Sequence, residues 1–415
     1  MITLHRYLVR TIGGSALAIA VFGSSLGAQT AACQSTAAAV VRGQPIAVPI
    51  EISNNHVYVK VCAGDVPLEF ILDTGAGNSF LDLNHARQLG LKIGSAFAVR
   101  GVGAGTAAGG RVEGAAVSLV GTSVRQQVSS VLDLSSLPSR EGHRMDGILG
   151  YDFISRFVVG IDYVKHELRL YDPDAFQYQG SGTILPVSFF NNHPHVDAEV
   201  KLADGTKIPG RMIVDVGASS SLSLAKPFVD ENHLLARVGP TVRRHGGGGV
   251  GGASWSNVGR VAGLRLGTLE IANPTTTLFG DSAGVFSTRG TWVGNIGGEI
   301  LRRFTVFLDY QHRRMILEPH AGTSEAFEAD MSGIGFVMDD SLRTLMIDGV
   351  VPDSPAGAAG LAAHDTISAI DGRPVSYLEL NELRKRLKRV GERVTLTIRR
   401  DGQSKDVVIV MRRLV

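Results

Sequence analysis

Cysteine is almost missing from this 415-residue chain, in which Cys33 and Cys62 are the whole supply. Two thiols cannot build a zinc site of the thiolate kind, and in an oxidising compartment they have only each other to pair with. An excess of either charge is also missing. The 41 basic and 39 acidic residues leave a formal charge of +2, which removes any general pull toward nucleic acid or membrane. Beyond the first 32 residues no segment approaches the roughly 20 consecutive apolar residues that a membrane-crossing helix needs. What the chain does have is 51 glycines and 44% hydrophobic residues over a length suited to two or three domains with proper cores.

The N-terminus carries an address. His5, Arg6 and Arg10 precede an apolar run from Ile12 to Phe22, and small residues follow from Ser24 to Ala32. This reads as a secretory signal over residues 1–32, cleaved near Ala28 or Ala32, with the mature protein exported to a periplasm or secreted. Cys33 behind Thr30-Ala31-Ala32 leaves lipid anchoring as the alternative. A bond between Cys33 and Cys62 would tie the mature N-terminus to a strand.

An internal repeat organises most of the rest. PIEISNNHVYVKV from Pro49 is echoed by PVSFFNNHPHVDAEV from Pro186, and FILDTGAGNSFLDL from Phe70 by MIVDVGASSSLSL from Met212. GILGYDFISRFVVGIDYVKHELRLY from Gly147 is echoed by GNIGGEILRRFTVFLDYQHRRMILE from Gly294. Three matches in the same order argue for duplication of one lobe. The copies span residues 47–173 and 185–319. Short alternating runs with β-branched residues predict mainly β lobes, each with one short helix, at Leu83 to Leu89 and near Ile300 to Arg303. After a linker from His320 to Ser332, residues 333–415 read as a separate small α+β domain with a helix from Tyr377 to Arg389 and a terminal hairpin.

Asp73 closes the apolar run Phe70, Ile71 and Leu72, where a carboxylate must be paired or hydrogen-bonded to be tolerated. A plain strand end turning on Asp and Gly is one reading. The duplication supplies another. Lobes related by a pseudo-twofold axis would bring Asp73 against Asp215, and two carboxyl groups about 3 Å apart share one proton. That pair is a general acid and a general base in one place, which peptide hydrolysis needs.

The run Asp73-Thr74-Gly75-Ala76 with Ile148-Leu149-Gly150 downstream, and its copy Asp215-Val216-Gly217-Ala218 with Asn295-Ile296-Gly297, resembles the aspartic peptidases. The likeness is closer to the retroviral-type branch than to pepsin, and it covers both lobes. It implies an aspartic endopeptidase acting on polypeptide substrates as a monomer, with Asp73 and Asp215 catalytic and no cofactor or metal. Gly75 and Gly217 would let the chain turn sharply and bring backbone N–H groups to the carboxyls. In the family, paired hydroxyls from the two lobes cross-brace these loops. Here Thr74 has one and Val216 replaces the other with a methyl, a loss of order 1 kcal/mol. Ala76 and Ala218 stand where pepsin-like enzymes carry a hydroxyl, which implies a pair titrating higher and a pH optimum nearer neutral.

Glycine clusters fall between the two motifs of each copy, around Gly101, Gly103 and Gly105 and around Gly247 and Gly249. In the family a mobile flap closes from that location; a flexible surface loop is the other reading. Neither cluster precedes a helix with Lys-Ser or Lys-Thr, which argues against phosphate binding. His193 and His195 form an H-x-H, but His193 matches His56 in the same Asn-Asn context, so a structural role is expected and no metal.

SGIGFVM from Ser332, with VVPDSPAGAAGL and DTISAIDGRPV after it, resembles a PDZ domain. The likeness implies that Gly333, Ile334, Gly335 and Phe336 form the loop whose N–H groups receive the carboxylate of a peptide C-terminus. The basic residues from Arg384 to Arg413 read as a solvated face, or as a patch for anionic lipid or acidic peptide. The fold class expected is therefore mainly β, two pseudo-symmetric lobes plus a PDZ domain. Two other functional readings stand beside the endopeptidase: a protease-like binding protein acting through the PDZ domain, and pairing of Asp73 loops from two chains.

Overall fold

Each copy of the repeat opens on a hairpin with two asparagines at its turn, and the computed structural model, which describes Cys33, residues 43–280 and residues 284–415, gives the reason. Asn54 and Asn55 have φ of 48° and 68°, and Asn191 and Asn192 have 50° and 66°. Two successive positive φ values make the tight turn whose twist suits antiparallel strands, and Asn tolerates that region better than most side chains. The turns join Ile46–Ser53 to His56–Ala63 and Ser188–Phe190 to His193–Lys201. The segment read as a secretory signal lies outside the described residues. Among the described residues no helix is long and apolar enough to cross a membrane.

The next strand of each lobe, Val66–Leu72 or Lys207–Asp215, leads into the aspartate motif. It runs antiparallel to the hairpin and parallel to a strand much later in the lobe, Gly147–Leu149 or Gly294–Gly297. Glycine is required where these strands start. A Cβ on Gly147 would stand 2.3 Å from the Phe70 ring, and one on Gly294 2.0 Å from the Ser223 carbonyl oxygen.

The lobes share one sheet. Its joining portion runs Thr183–Pro186, Arg314–Pro319, Phe304–Asp309, Val158–Asp162, Glu167–Tyr171, Ile46–Ser53. In the central antiparallel pair Gly160 faces Phe307. These are equivalent positions of the repeat, so the pseudo-twofold axis passes between them. An axis makes a residue face its own counterpart, and two rings cannot occupy that place. Gly160 leaves the room, its would-be Cβ lying 3.2 Å from the Phe307 ring. The apolar residues of both lobes merge into one core that includes Phe70, Leu72, Val214 and Val216.

The C-terminal domain has its own core, built around Leu345, Ile367, Leu396 and Ile398. Its sheet orders Ile334–Met338, Leu345–Val350, Thr366–Ile370, Arg393–Arg400 and Gln403–Val410, so Ile334–Met338 is an edge. The linker is clamped by Arg303, 1% exposed, which donates to the carbonyls of Glu325 (2.7 Å) and Ala326 (3.3 Å) and lies 3.7 Å from the Phe327 ring centre.

The helices depart from expectation. Leu83–Gln88 is capped by Asp82, which accepts from the N–H groups of Asn84 and His85. The second lobe's expected helix lies slightly earlier, at Gly298–Leu301, and the PDZ helix is shorter, Leu380–Arg386. Ser136–Glu141, Tyr151–Ile154, Lys226–Glu231 and Leu234–Arg237 were not expected; at one turn or so each they carry no readable period. The basic run from Arg384 is not one solvated face either. Arg384 donates to the carbonyls of Arg140 (2.8 Å) and Glu141 (2.7 Å), docking the PDZ helix on the first lobe. Lys388 reaches Glu299 of the second lobe at 3.1 Å.

Candidate active site

Asp73 and Asp215 end equivalent strands on either side of the pseudo-twofold axis, close enough for the charge of Asp215 to act on the Asp73 carboxyl. Each is backed by the other lobe's glycine. A Cβ on Gly75 would meet Asp215 Oδ1 at 2.8 Å, and one on Gly217 would meet Asp73 Cγ at 2.2 Å. No side chain fits at either place, which explains why both motifs read Asp-x-Gly. Gly75 N–H donates to Asp73 Oδ1 at 2.7 Å.

Burial pushes both carboxyls above the ordinary carboxylate range. For Asp73 the neighbouring Asp215 charge adds to burial and lifts it well above, against the opposing Gly75 N–H. Asp215 also rises by burial, but the Asn295 side chain holds it back by donating to Oδ2 at 2.7 Å. Asn295 stands in the repeated motif, but its first-lobe counterpart is the apolar Ile148, so the repeat assigns it no role.

The loops brace each other across the axis. Thr74, 1% exposed, donates to the Val214 carbonyl at 2.6 Å and accepts from the Val216 N–H at 2.9 Å. The surviving hydroxyl is thus fully used, although Val216 cannot return the contact. A second brace was missed from the sequence. Asn55 Nδ2 donates to the Ser219 carbonyl (2.7 Å) and Asn192 Nδ2 to the Gly77 carbonyl (3.2 Å), each turn holding the opposite lobe's aspartate loop. The signal was present in the repeated Asn-Asn.

Both glycine clusters are parts of hairpins. Gly101, Gly103 and Gly105 lie between Ile93–Arg100 and Thr106–Leu119, while Gly247 and Gly249 lie on Val242–Gly249, which pairs with Gly252–Arg260. The tips meet: Gly103 N–H donates to Val250 O (3.1 Å) and Gly105 N–H to Gly251 O (2.8 Å). A Cβ on Gly103 would stand 2.3 Å from the Gly251 carbonyl carbon, so side chains at the tips would prevent this approach. Two flaps therefore roof one cleft.

That cleft is a cavity of about 1170 Å³ lined by Asp73, Asp215, both flaps and, at one end, Gly333, Ile334, Gly335 and Phe336 of the PDZ loop. The loop's own N–H groups are partly engaged. Asp330 Oδ1 accepts from Ser332 N–H (3.1 Å) and Gly333 N–H (3.0 Å), and Ser332 Oγ accepts from Ile334 N–H (3.1 Å). Asp330 in turn receives Arg244 of the second flap strand at 3.3 Å.

His193 and His195 line the same cavity, and no third metal-ligating side chain joins them among the described residues. His56 lies 3.1 Å from Glu141. Burial opposes ionisation of Glu141, but His56, Arg384 and Asn54 outweigh it and hold the carboxyl at about 2. Glu51, Glu69 and His143 converge elsewhere as an ion-paired surface group. Cys33 is bonded to Cys62.

Residues 57–153 match a family described as aspartyl protease, and residues 346–400 match the PDZ domain family. Among curated relatives, a probable CtpA-like serine protease of Staphylococcus haemolyticus is 33% identical over 87 residues, 21% of this chain and 18% of the relative. A carboxy-terminal-processing protease of Bartonella bacilliformis is 32% identical over 103 residues, 22% of this chain and 24% of the relative. The chain thus spans less than a quarter of the length of these relatives. The architecture is an aspartyl-protease-like domain with a PDZ domain, in a mainly β chain.

Proposed function

We propose that this protein is an aspartic endopeptidase in which Asp73 and Asp215 activate a water against a peptide bond, while the PDZ domain recruits polypeptide substrates. The observation that carries the reading is the reciprocal carboxyl pair, each acid seated on the other lobe's glycine. Asp73, lifted further, keeps the shared proton; Asp215, held by Asn295, carries the charge. Asp215 then takes a proton from water as its oxygen attacks the scissile carbonyl carbon, and Asp73 gives its proton to the carbonyl oxygen. The resulting diol collapses: one hydroxyl proton returns to Asp73, Asp215 protonates the departing nitrogen, and the C–N bond breaks. The closed flaps exclude bulk water and strengthen these charge interactions. The relatives' names speak of serine chemistry; support for the aspartic reading comes from the acid pair and from the aspartyl-protease match, which contains Asp73. We extend the proposal to an exported protein, with the Cys33–Cys62 bond as its support.

The test is proteolysis of an unfolded polypeptide by purified protein. Asp73→Asn or Asp215→Asn is expected to lower kcat/KM by about a thousand-fold or more. Cleavage unchanged by both substitutions would end the reading. The methyl of Val216 favours a second one, a binding protein without turnover, which the same assay separates through binding with no cleavage in the unsubstituted chain.

A further inference from the structure

The cleft over the acid pair and the PDZ loop are one continuous space, and its charge is lopsided. Apart from Asp73 and Asp215, the lining contains five arginines, Arg100, Arg140, Arg243, Arg244 and Arg384, against the carboxylates of Glu141 and Asp348. Both carboxylates are already matched, Glu141 by His56 at 3.1 Å and Asp348 by Arg140 at 3.5 Å and His245 at 3.7 Å. Arg100 and Arg243 are exposed on the two flap strands and form no ion pair among the described residues. Arg243 lies over the Trp255 ring at 4.6 Å, an arrangement that fixes a guanidinium without neutralising it. A chain already balanced at +2 overall has gathered uncompensated positive charge where a substrate would lie.

The second flap strand supplies the ruler. Its His245 carbonyl lies 3.7 Å from where a Cβ on Gly335 would stand, and its tip meets the first flap at Gly249–Val250 above the cleft. Four residues of strand, with a break in register between Gly246 and Gly249, lie between these points and span at most roughly 13 Å, the length of about four residues of extended substrate. At the far end the chain itself already seats a carboxylate oxygen against the start of the loop, Asp330 Oδ1 accepting from Gly333 N–H at 3.0 Å. Ile334–Met338 is an edge strand beginning at that loop.

We propose that flaps and PDZ loop form a single channel for the acidic carboxyl end of a polypeptide, whose terminus rests at Gly333–Phe336 while the bond about four to six residues upstream lies over the acid pair. The inference rests on the endopeptidase reading and deepens it. The substrate class is an unfolded tail with Asp or Glu near a free C-terminus, and cutting releases a fragment of constant length. Arg100 and Arg243 select the acidic side chains.

The experiment has two arms. First, a fluorescein-labelled peptide ending in an acidic free C-terminus is titrated against the full chain carrying Asp215→Asn, beside the same peptide amidated and the same peptide with Asp and Glu replaced by Asn and Gln. Each change is expected to weaken binding ten-fold or more, and Arg243→Glu to weaken the acidic peptide while sparing the neutral one. Equal affinity for all three peptides would overturn the proposal. Second, unsubstituted protein digests these peptides and an unfolded protein without an acidic tail, with products mapped by mass spectrometry. The proposal expects cuts at constant distance from the C-terminus; scattered internal cuts that still need Asp73 would sink the channel and leave the endopeptidase standing. Cuts indifferent to Asp73→Asn and Asp215→Asn would sink the endopeptidase reading itself.

Discussion

The first lobe and the second lobe carry the same backbone and have shared out different side-chain tasks. Their aspartates, glycines, Asn-Asn turns and parallel strand pairs correspond position by position. What differs is Thr74 against Val216, Ile148 against Asn295, and Gly160 against Phe307. Where the axis places a residue against its own copy, symmetry is physically awkward and one partner shrinks. Where one proton serves two acids, symmetry is chemically idle, and one acid gains a donor that the other lacks. The segments flanking the cleft diverge further: Ser136–Glu141 of the first lobe seats the PDZ helix, while the matching Val285–Ser287 of the second holds the first flap through Val285 N–H to Gly101 O at 2.9 Å. Duplication conserved what sets backbone geometry and released the rest.

The largest effect on this comparison is expected from Thr74→Val, which makes the two loops alike by removing the hydroxyl that remains. Val214 carbonyl and Val216 N–H would both lose a buried partner, at a cost of about 2–4 kcal/mol. Chemical denaturation should show that loss with an unchanged slope. A change below about 0.5 kcal/mol would mean that the asparagine turns, not the threonine, carry the bracing.

How far this division of labour can be read from sequence depends on whether a contact leaves a pattern. Asp73 and Asp215 were legible because two copies of a strand-end acid must be compensated somewhere, and the duplication says where. Asn55 and Asn192 were visible as a repeat but read as turns alone; that a side chain at a turn reaches a carbonyl across the axis requires the lobes to be packed first. Arg384 was misread as surface because its partners are main-chain carbonyls of Arg140 and Glu141, which any sequence would offer. The one-turn helices escaped because a period needs more than one turn to appear.

Asn295→Ile would give the second lobe the first lobe's residue and remove the donor from Asp215. Asp215 must be ionised to accept the proton of water, and its pKa then rises. The acid limb of the pH profile should therefore move to higher pH, while the alkaline limb, set by the proton on Asp73, stays. The loss below the optimum is expected at about 1.5 kcal/mol, roughly ten-fold in kcat/KM. Measurement of kcat/KM against pH decides it; an acid limb that stays while the alkaline limb moves to higher pH would assign the charge to Asp73 instead.

The smallest effect tests whether the asymmetry was costly at all. Val216 is fully buried in the common core, and Val216→Thr keeps its shape while offering a hydroxyl to the first lobe. If the loops are as superposable as the reciprocal glycines imply, the introduced hydroxyl finds the Leu72 carbonyl as Thr74 finds that of Val214, and stability rises by about 1 kcal/mol. If the second loop has settled into apolar packing around the methyl, the hydroxyl is buried without a partner and stability falls by about 1–3 kcal/mol. The sign of the shift in melting temperature separates the two. We expect a rise, because a backbone brace built from one side leaves its mirror position open rather than filled.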